Sequence, residues 1–172
     1  MKENDWQDWQ RVVHTFAPIY NEETRVLILG TAPSVKSREH GFYYGHPQNR
    51  FWKVLAGVAG ADVPETIEEK RQFLLDNGIG VYDVIESCDI KGSSDSSIRN
   101  VIPVDLSEIL NQTGAIPVVT NGGTAFRLYR KYLEEKTGIP STQLPSTSPA
   151  NAAWRLERLI EVWGQVLGAF LQ

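Results

Sequence analysis

The sequence predicts an α/β domain of three layers, with helices on both faces of a small, mainly parallel central sheet. Three observations lead there. Arg25-Val-Leu-Ile-Leu-Gly30 is an almost unbroken apolar run ending in glycine, the pattern of a strand covered on both faces. Runs of that kind alternate along the chain with segments of helical periodicity, the order of a parallel sheet with helices packed on it. The segments that follow the strands are rich in Gly, Pro, Ser, Thr and Asn, where such folds place their ligand sites.

Taken in order, residues 25–30 form the first core strand and residues 49–59 and 64–77 read as helices. Residues 79–84 form the second strand, 106–112 a helix, and 116–120 the third strand. A helix over 124–137, a short strand ending near Leu144 and a last helix over 151–171 complete the series. The connecting segments 31–48, 85–100, 121–123 and 145–150 are therefore where chemistry is expected. Within them the serine-rich residues 92–97 read as a surface loop, Ser93, Ser94 and Ser96 included. No repeat or linker interrupts the 172 residues, and a 41% hydrophobic content suffices for a single domain over residues 1–172.

Composition narrows the chemistry. The single cysteine, Cys88, can form neither an internal disulfide nor a thiolate cluster and reads as a small core residue. The N-terminal segment is amphipathic and acidic without a signal-peptide pattern, and no run approaches the ~18 apolar residues of a membrane span. A cytoplasmic protein without a membrane partner is the expectation. A net charge of −4 argues against purely electrostatic binding of nucleic acid, but not against an enzyme that grips a few phosphates through backbone amides and hydroxyls. There is no G-x-S-x-G elbow, no P-loop and no His-rich or Cys/His cluster, so neither a metal site nor a cofactor is expected.

Two long strings carry the most information. Gly30-Thr-Ala-Pro-Ser34, followed by Gly41-Phe-Tyr-Tyr-Gly-His-Pro-Gln-Asn-Arg-Phe-Trp52, resembles the first motif region of mismatch-specific uracil-DNA and hypoxanthine-DNA glycosylases. Leu144-Pro-Ser-Thr-Ser-Pro-Ala-Asn-Ala152 is similar to the minor-groove loop of the hypoxanthine-DNA branch. Tyr82-Asp-Val-Ile85, the serine-rich loop after it and Asn121-Gly-Gly-Thr-Ala125 extend the resemblance over nearly the whole chain from Val26 onward. It implies a uracil-DNA glycosylase-like fold and a monofunctional base-excision-repair enzyme acting on DNA that contains a deaminated base. Hypoxanthine is the first candidate substrate, uracil and xanthine the others, and the expected state is a monomer.

Such an enzyme must extrude the target nucleotide into a pocket. Tyr44 stands where the family stacks the flipped base; Phe42 and Tyr43 read as core. Asn121, at a strand end, could donate to a carbonyl and accept from a ring N–H, the lactam edge shared by hypoxanthine and uracil, or it could cap the helix that follows. Asn49 is the resemblance's water-positioning residue, with helix capping as the alternative, and His46 reads mainly as structural. Thr31, Ala32 and Pro33 line the expected pocket. Ala32 departs from the uracil enzymes, which carry the catalytic asparagine there, and so favours the hypoxanthine branch. Ser146, Thr147, Ser148 and Pro149 offer hydroxyls and amides to phosphates, while Ala150 and Asn151 could fill the vacated stack. Arg50, Lys53, Arg127, Arg130, Lys131 and Arg155 read as solvated helix charges. Two other functions remain open: a noncatalytic lesion-binding module, and a hydrolase of free nucleosides.

Overall fold

The computed structural model describes residues 8–92 and 95–171, apart from the side chain of Lys36. Ser93 and Ser94 lie outside the described residues. Among the described residues seven strands, β1 (Trp9–Val13), β2 (Val26–Gly30), β3 (Ile79–Asp83), β4 (Ile85–Lys91), β5 (Arg99–Pro103), β6 (Val118–Asn121) and β7 (Ser141–Leu144), divide between two sheets. The helices are α1 (Val35–His40), α2 (Phe51–Ala59), α3 (Ile67–Asp76), α4 (Ser107–Thr113), α5 (Gly123–Tyr132), α6 (Glu134–Thr137) and α7 (Leu156–Leu167).

The central sheet is wholly parallel in the order β3-β2-β6-β7. Its middle strand shows why the apolar run at 26–29 is continuous. Alternate side chains leave a strand on opposite faces, so Val26 and Ile28 join a core with Leu55 of α2 and Leu159 and Trp163 of α7. Leu27 and Leu29 join a second core with Ile109 of α4 and Tyr129 of α5. All four are fully buried, each contributing about 1.5–3 kcal/mol. The three-layer architecture follows from these two cores.

A second sheet, antiparallel in the order β1-β4-β5, corrects the expectation that residues 85–100 are a connecting segment. The chain leaves β3, passes Val84 and enters β4 at once. Register shifts between Ile85 and Ser87 and between Ser87 and Asp89 break the alternation of apolar residues, and bulges of this kind hide a strand from a search for period two. β1 was equally hidden, because only Val12 of its five residues is buried. Three further departures concern helices. α1 forms inside the expected 31–48 loop, capped by the Ser34 side chain. The segment 124–137 breaks at Leu133 into α5 and α6, and the last helix begins at Leu156 rather than at residue 151. No helix among the described residues is long and apolar enough to cross a membrane.

Candidate functional site

The carboxyl ends of β2, β3 and β6 open into a cleft of about 470 Å³, walled by the 31–49 segment, β4 and the 146–150 loop. All of the residues expected at the site except Asn151 line it: Thr31, Ala32, Pro33, Tyr44, His46, Asn49, Asn121, Ser146, Thr147, Ser148, Pro149 and Ala150. Asn151 lines an adjoining groove with Trp154 and Gln143.

A hydrogen-bonded relay joins the two asparagines. Asn121 Nδ2 donates to Thr147 Oγ1 at 3.0 Å, and Thr147 Oγ1 donates in turn to Asn49 Oδ1 at 2.8 Å. The Thr147 amide closes the arrangement by donating to Asn121 Oδ1 at 3.1 Å. Three elements distant in sequence, the end of β6, the last loop and the entry to α2, are thereby locked together. Asn121 caps nothing: Gly122 is the N-cap of α5 and no side chain bonds there. Asn49 does serve its helix, for its Oδ1 also accepts from the Phe51 amide at 3.0 Å. Because that amide can only donate, the oxygen of Asn49 is fixed toward it. Both lone pairs of Oδ1 are then used, and Nδ2 remains the atom with hydrogen-bonding capacity to spare.

Thr147 was expected to offer its hydroxyl to a phosphate. It is instead 0% exposed, with that hydroxyl fully engaged, so its place is inside the relay. Around it the loop pins itself, Ser146 Oγ accepting from the Ser148 amide and Ser148 Oγ from the Ala150 amide. Asn151 turns its amide inward to the Ser146 carbonyl at 3.0 Å, leaving exposed Ala150 at the tip. Gly122 allows the close approach. Its φ is +96°, and a Cβ there would stand 3.1 Å from that of Ser146.

Arg50 corrects the expectation of a solvated charge. Its backbone N–H and Nε donate to the Thr147 carbonyl, Nη2 to the carbonyls of Ser148 (2.9 Å) and Asn151 (3.1 Å), and Nη1 to that of Trp154. The guanidinium fork thus gathers the carbonyls of residues 147–154 and holds them as turns, which is why α7 starts late. Lys53, Arg127, Arg130, Lys131 and Arg155 are exposed, as expected of helix charges. His46 shapes its own turn, Nδ1 accepting from the Gln48 amide at 3.1 Å.

Tyr44 adopts φ +52°, unusual for a side-chain-bearing residue, and stacks one ring face on Phe51 with centroids 3.8 Å apart and planes 17° from parallel. Only the opposite face is left for a ligand. Phe42 and Tyr43 are core, as read from the sequence. The Tyr44 hydroxyl is buried without a hydrogen-bond partner; burial first, then the Asp83 carboxylate, hold its pKa above the ordinary tyrosine range, opposed by the Asn121 amide. Asp83, at the end of β3, accepts from His14 Nε2 at 2.8 Å, with the two side chains 5% and 1% exposed. Sequence reasoning gave neither residue a role: Asp83 stood only inside the Tyr82-Asp-Val-Ile85 string, and a lone His and a lone Asp 69 positions apart carry no spacing signal. Among the described residues no three His, Cys, Asp or Glu side chains gather as a metal site.

Gly30 faces this corner. A Cβ added to it would lie 2.5 Å from Asp83 Oδ1 and 2.9 Å from the Tyr44 hydroxyl. Because His14 pins the carboxylate, Gly30→Ala is expected to cost about 1–3 kcal/mol of stability, read by urea unfolding. Wild-type stability in that variant would show that the corner yields freely.

The comparisons with known proteins agree with this geometry. The model of the uracil DNA glycosylase superfamily matches residues 17–166. A protein of Methanosarcina barkeri named hypoxanthine DNA glycosylase is 38% identical over 138 residues, 79% of this chain and 86% of its own. One of Methanosarcina acetivorans with the same name is 31% identical over 144 residues, 83% and 90% of the two chains. A solution NMR structure from Methanosarcina acetivorans, described as a candidate uracil DNA glycosylase, superposes with a TM-score of 0.77 at 31% identity, covering 90% of this chain and 96% of that one. With the parallel sheet, the cleft at its carboxyl edge and matches over most of its length, the chain belongs to the uracil DNA glycosylase superfamily.

Proposed function

We propose that this protein, a DNA glycosylase of that superfamily, excises hypoxanthine from DNA as its main reaction, with uracil and xanthine as secondary substrates, and leaves an intact abasic site. It acts as a monomeric, cytoplasmic, single-domain enzyme. The observation that carries the proposal is the Asn121–Thr147–Asn49 relay beside the free face of Tyr44. A flipped base stacking on that face meets Asn121 at its edge while its sugar lies toward Asn49, and stacking contributes roughly 1–3 kcal/mol irrespective of base identity. The C1′–N9 bond breaks with its electron pair going to the departing hypoxanthine. A water held by Asn49 Nδ2 adds its oxygen to the electron-poor C1′, and its proton passes to solvent or to the released base. An amide is too weak a base to take that proton, so positioning is its contribution. Ala32, lacking any polar group, supplies none of this.

The test uses an oligonucleotide with one deoxyinosine. Free hypoxanthine and an alkali-labile abasic site should appear, at an unchanged rate in EDTA and without a covalent adduct under borohydride, since no lysine lies within the matched motifs. Binding without release would reveal a lesion-binding module, and release from free inosine would reveal a nucleoside hydrolase. A borohydride-trapped adduct would mean a bifunctional enzyme, and loss of activity in EDTA a metal-assisted one.

A further inference from the structure

The relay leaves one part of the cleft unused. Asp83 pairs with Gly30 across β3 and β2, its Oδ2 held by His14, and it lines the cleft. Among the described residues no hydrogen bond reaches Oδ1. That oxygen and the tip of the Tyr44 ring converge on the same point, the one a Gly30 side chain would occupy. Asp83 is only 3% exposed yet lines the cleft, and a carboxylate oxygen facing a base pocket suits a ring N–H. Asn121 is less free than its residue type suggests. Its oxygen accepts from the Thr147 amide, which leaves it one lone pair, one of its N–H groups is given to Thr147 Oγ1, and the amide also acts on the Tyr44 hydroxyl, so its second N–H is the donor it can turn to a base carbonyl.

We propose that Asp83 is the specificity-determining acceptor for the ring N–H of the flipped base, and that His14 is the positioning residue that turns Oδ1 into the cleft. This rests on the glycosylase function set out above. The lactam edge is then divided: Asp83 takes the ring N–H, and the spare Asn121 N–H takes the adjacent carbonyl. Adenine would set a bare nitrogen lone pair against a carboxylate and an amine against a donor, and would be rejected at both positions. The assignment also explains what β1 does. Its pairing with β4 continues one residue further, the His14 amide donating to the Glu86 carbonyl at 2.8 Å, and this brings the imidazole behind Asp83, where Phe16, Tyr43 and Tyr82 pack around it.

The experiment compares single-turnover release from single-stranded oligonucleotides carrying deoxyinosine or N1-methyldeoxyinosine, in which a methyl replaces the ring N–H and the carbonyl is kept. The wild type should be at least about tenfold slower on the methylated base, equivalent to ~1.4 kcal/mol. Asp83→Asn should lose about tenfold on deoxyinosine and much less on the methylated base, bringing the ratio toward one. His14→Gln keeps an N–H within reach of Oδ2 and should preserve the ratio, whereas the shorter His14→Asn should lose it; thermal unfolding establishes that each variant folds. Equal slowing of both substrates by Asp83→Asn would place the carboxylate at the sugar or the water and overturn the assignment. So would a wild type indifferent to methylation, a result available even if Asp83→Asn does not fold. Folded His14→Asn and His14→Gln variants that both keep the wild-type ratio would remove His14 from the positioning role. A wild type that releases no hypoxanthine would instead overturn the function itself, and this proposal with it.

Discussion

Arg50→Ala is expected to be among the most damaging single substitutions in this protein, lowering kcat/KM on deoxyinosine DNA by about 100-fold or more, equivalent to ~2.7 kcal/mol. One guanidinium bonds the carbonyls of Thr147, Ser148, Asn151 and Trp154, and hydrogen bonds that involve a charged group contribute about 1.5–3 kcal/mol each, net of the exchange with water, when they are well buried. Arg50 is half-buried, so water recovers part of this, and a stability loss of about 2–4 kcal/mol is expected. The loss of rate should exceed what unfolding explains, because Thr147 belongs both to the gathered loop and to the relay. Arg50→Lys separates charge from geometry: an ammonium is a point donor that cannot span four carbonyls, so lysine should recover some stability and little activity. Urea unfolding followed by single-turnover rates far from the transition is the measurement. If Arg50→Ala folds and cleaves at the wild-type rate, the Ser146, Ser148 and Asn151 bonds hold the loop unaided.

The contrast between Arg50 and Asn49, adjacent in sequence, shows where sequence reading succeeds. Strands of the central sheet were legible because burial on both faces makes them continuously apolar, and β2, β3, β6 and β7 stand within two residues of their expected ends. The cleft was legible because parallel α/β topology puts it at the strand ends. β4 was not, since its bulges scramble the alternation, and nor was β1, which buries a single residue. Arg50 was misread for a different reason. Its partners are backbone carbonyls about a hundred residues away, and carbonyls carry no residue identity for a sequence pattern to register. The His14–Asp83 pair is invisible for a related reason: its meaning lies in β1 joining β4, a pairing that only the second sheet discloses.

Asn49→Ala is the second large effect, at least about tenfold on single-turnover cleavage of deoxyinosine DNA, ~1.4 kcal/mol, with DNA affinity nearly intact. The relay sharpens the expectation. Alanine deletes the acceptor for both the Thr147 hydroxyl and the Phe51 amide, so part of the cost, about 1 kcal/mol, falls on the start of α2. Asn49→Asp discriminates between the two losses. One carboxylate oxygen keeps both of those bonds, and the second replaces Nδ2 with an atom that can accept a proton from water. Stability should therefore return nearly to wild type, and activity should exceed that of Asn49→Ala unless the new charge repels the departing anionic base. Thermal unfolding of each variant comes first, then single-turnover rates well below the melting range. An Asn49→Ala protein that folds normally and cleaves at the wild-type rate would mean that the water is held elsewhere. An Asn49→Asp protein as stable as wild type but no faster than Asn49→Ala would mean that the carboxylate, although it keeps both bonds made by Oδ1, either fails to replace the Nδ2 donor or repels the departing base.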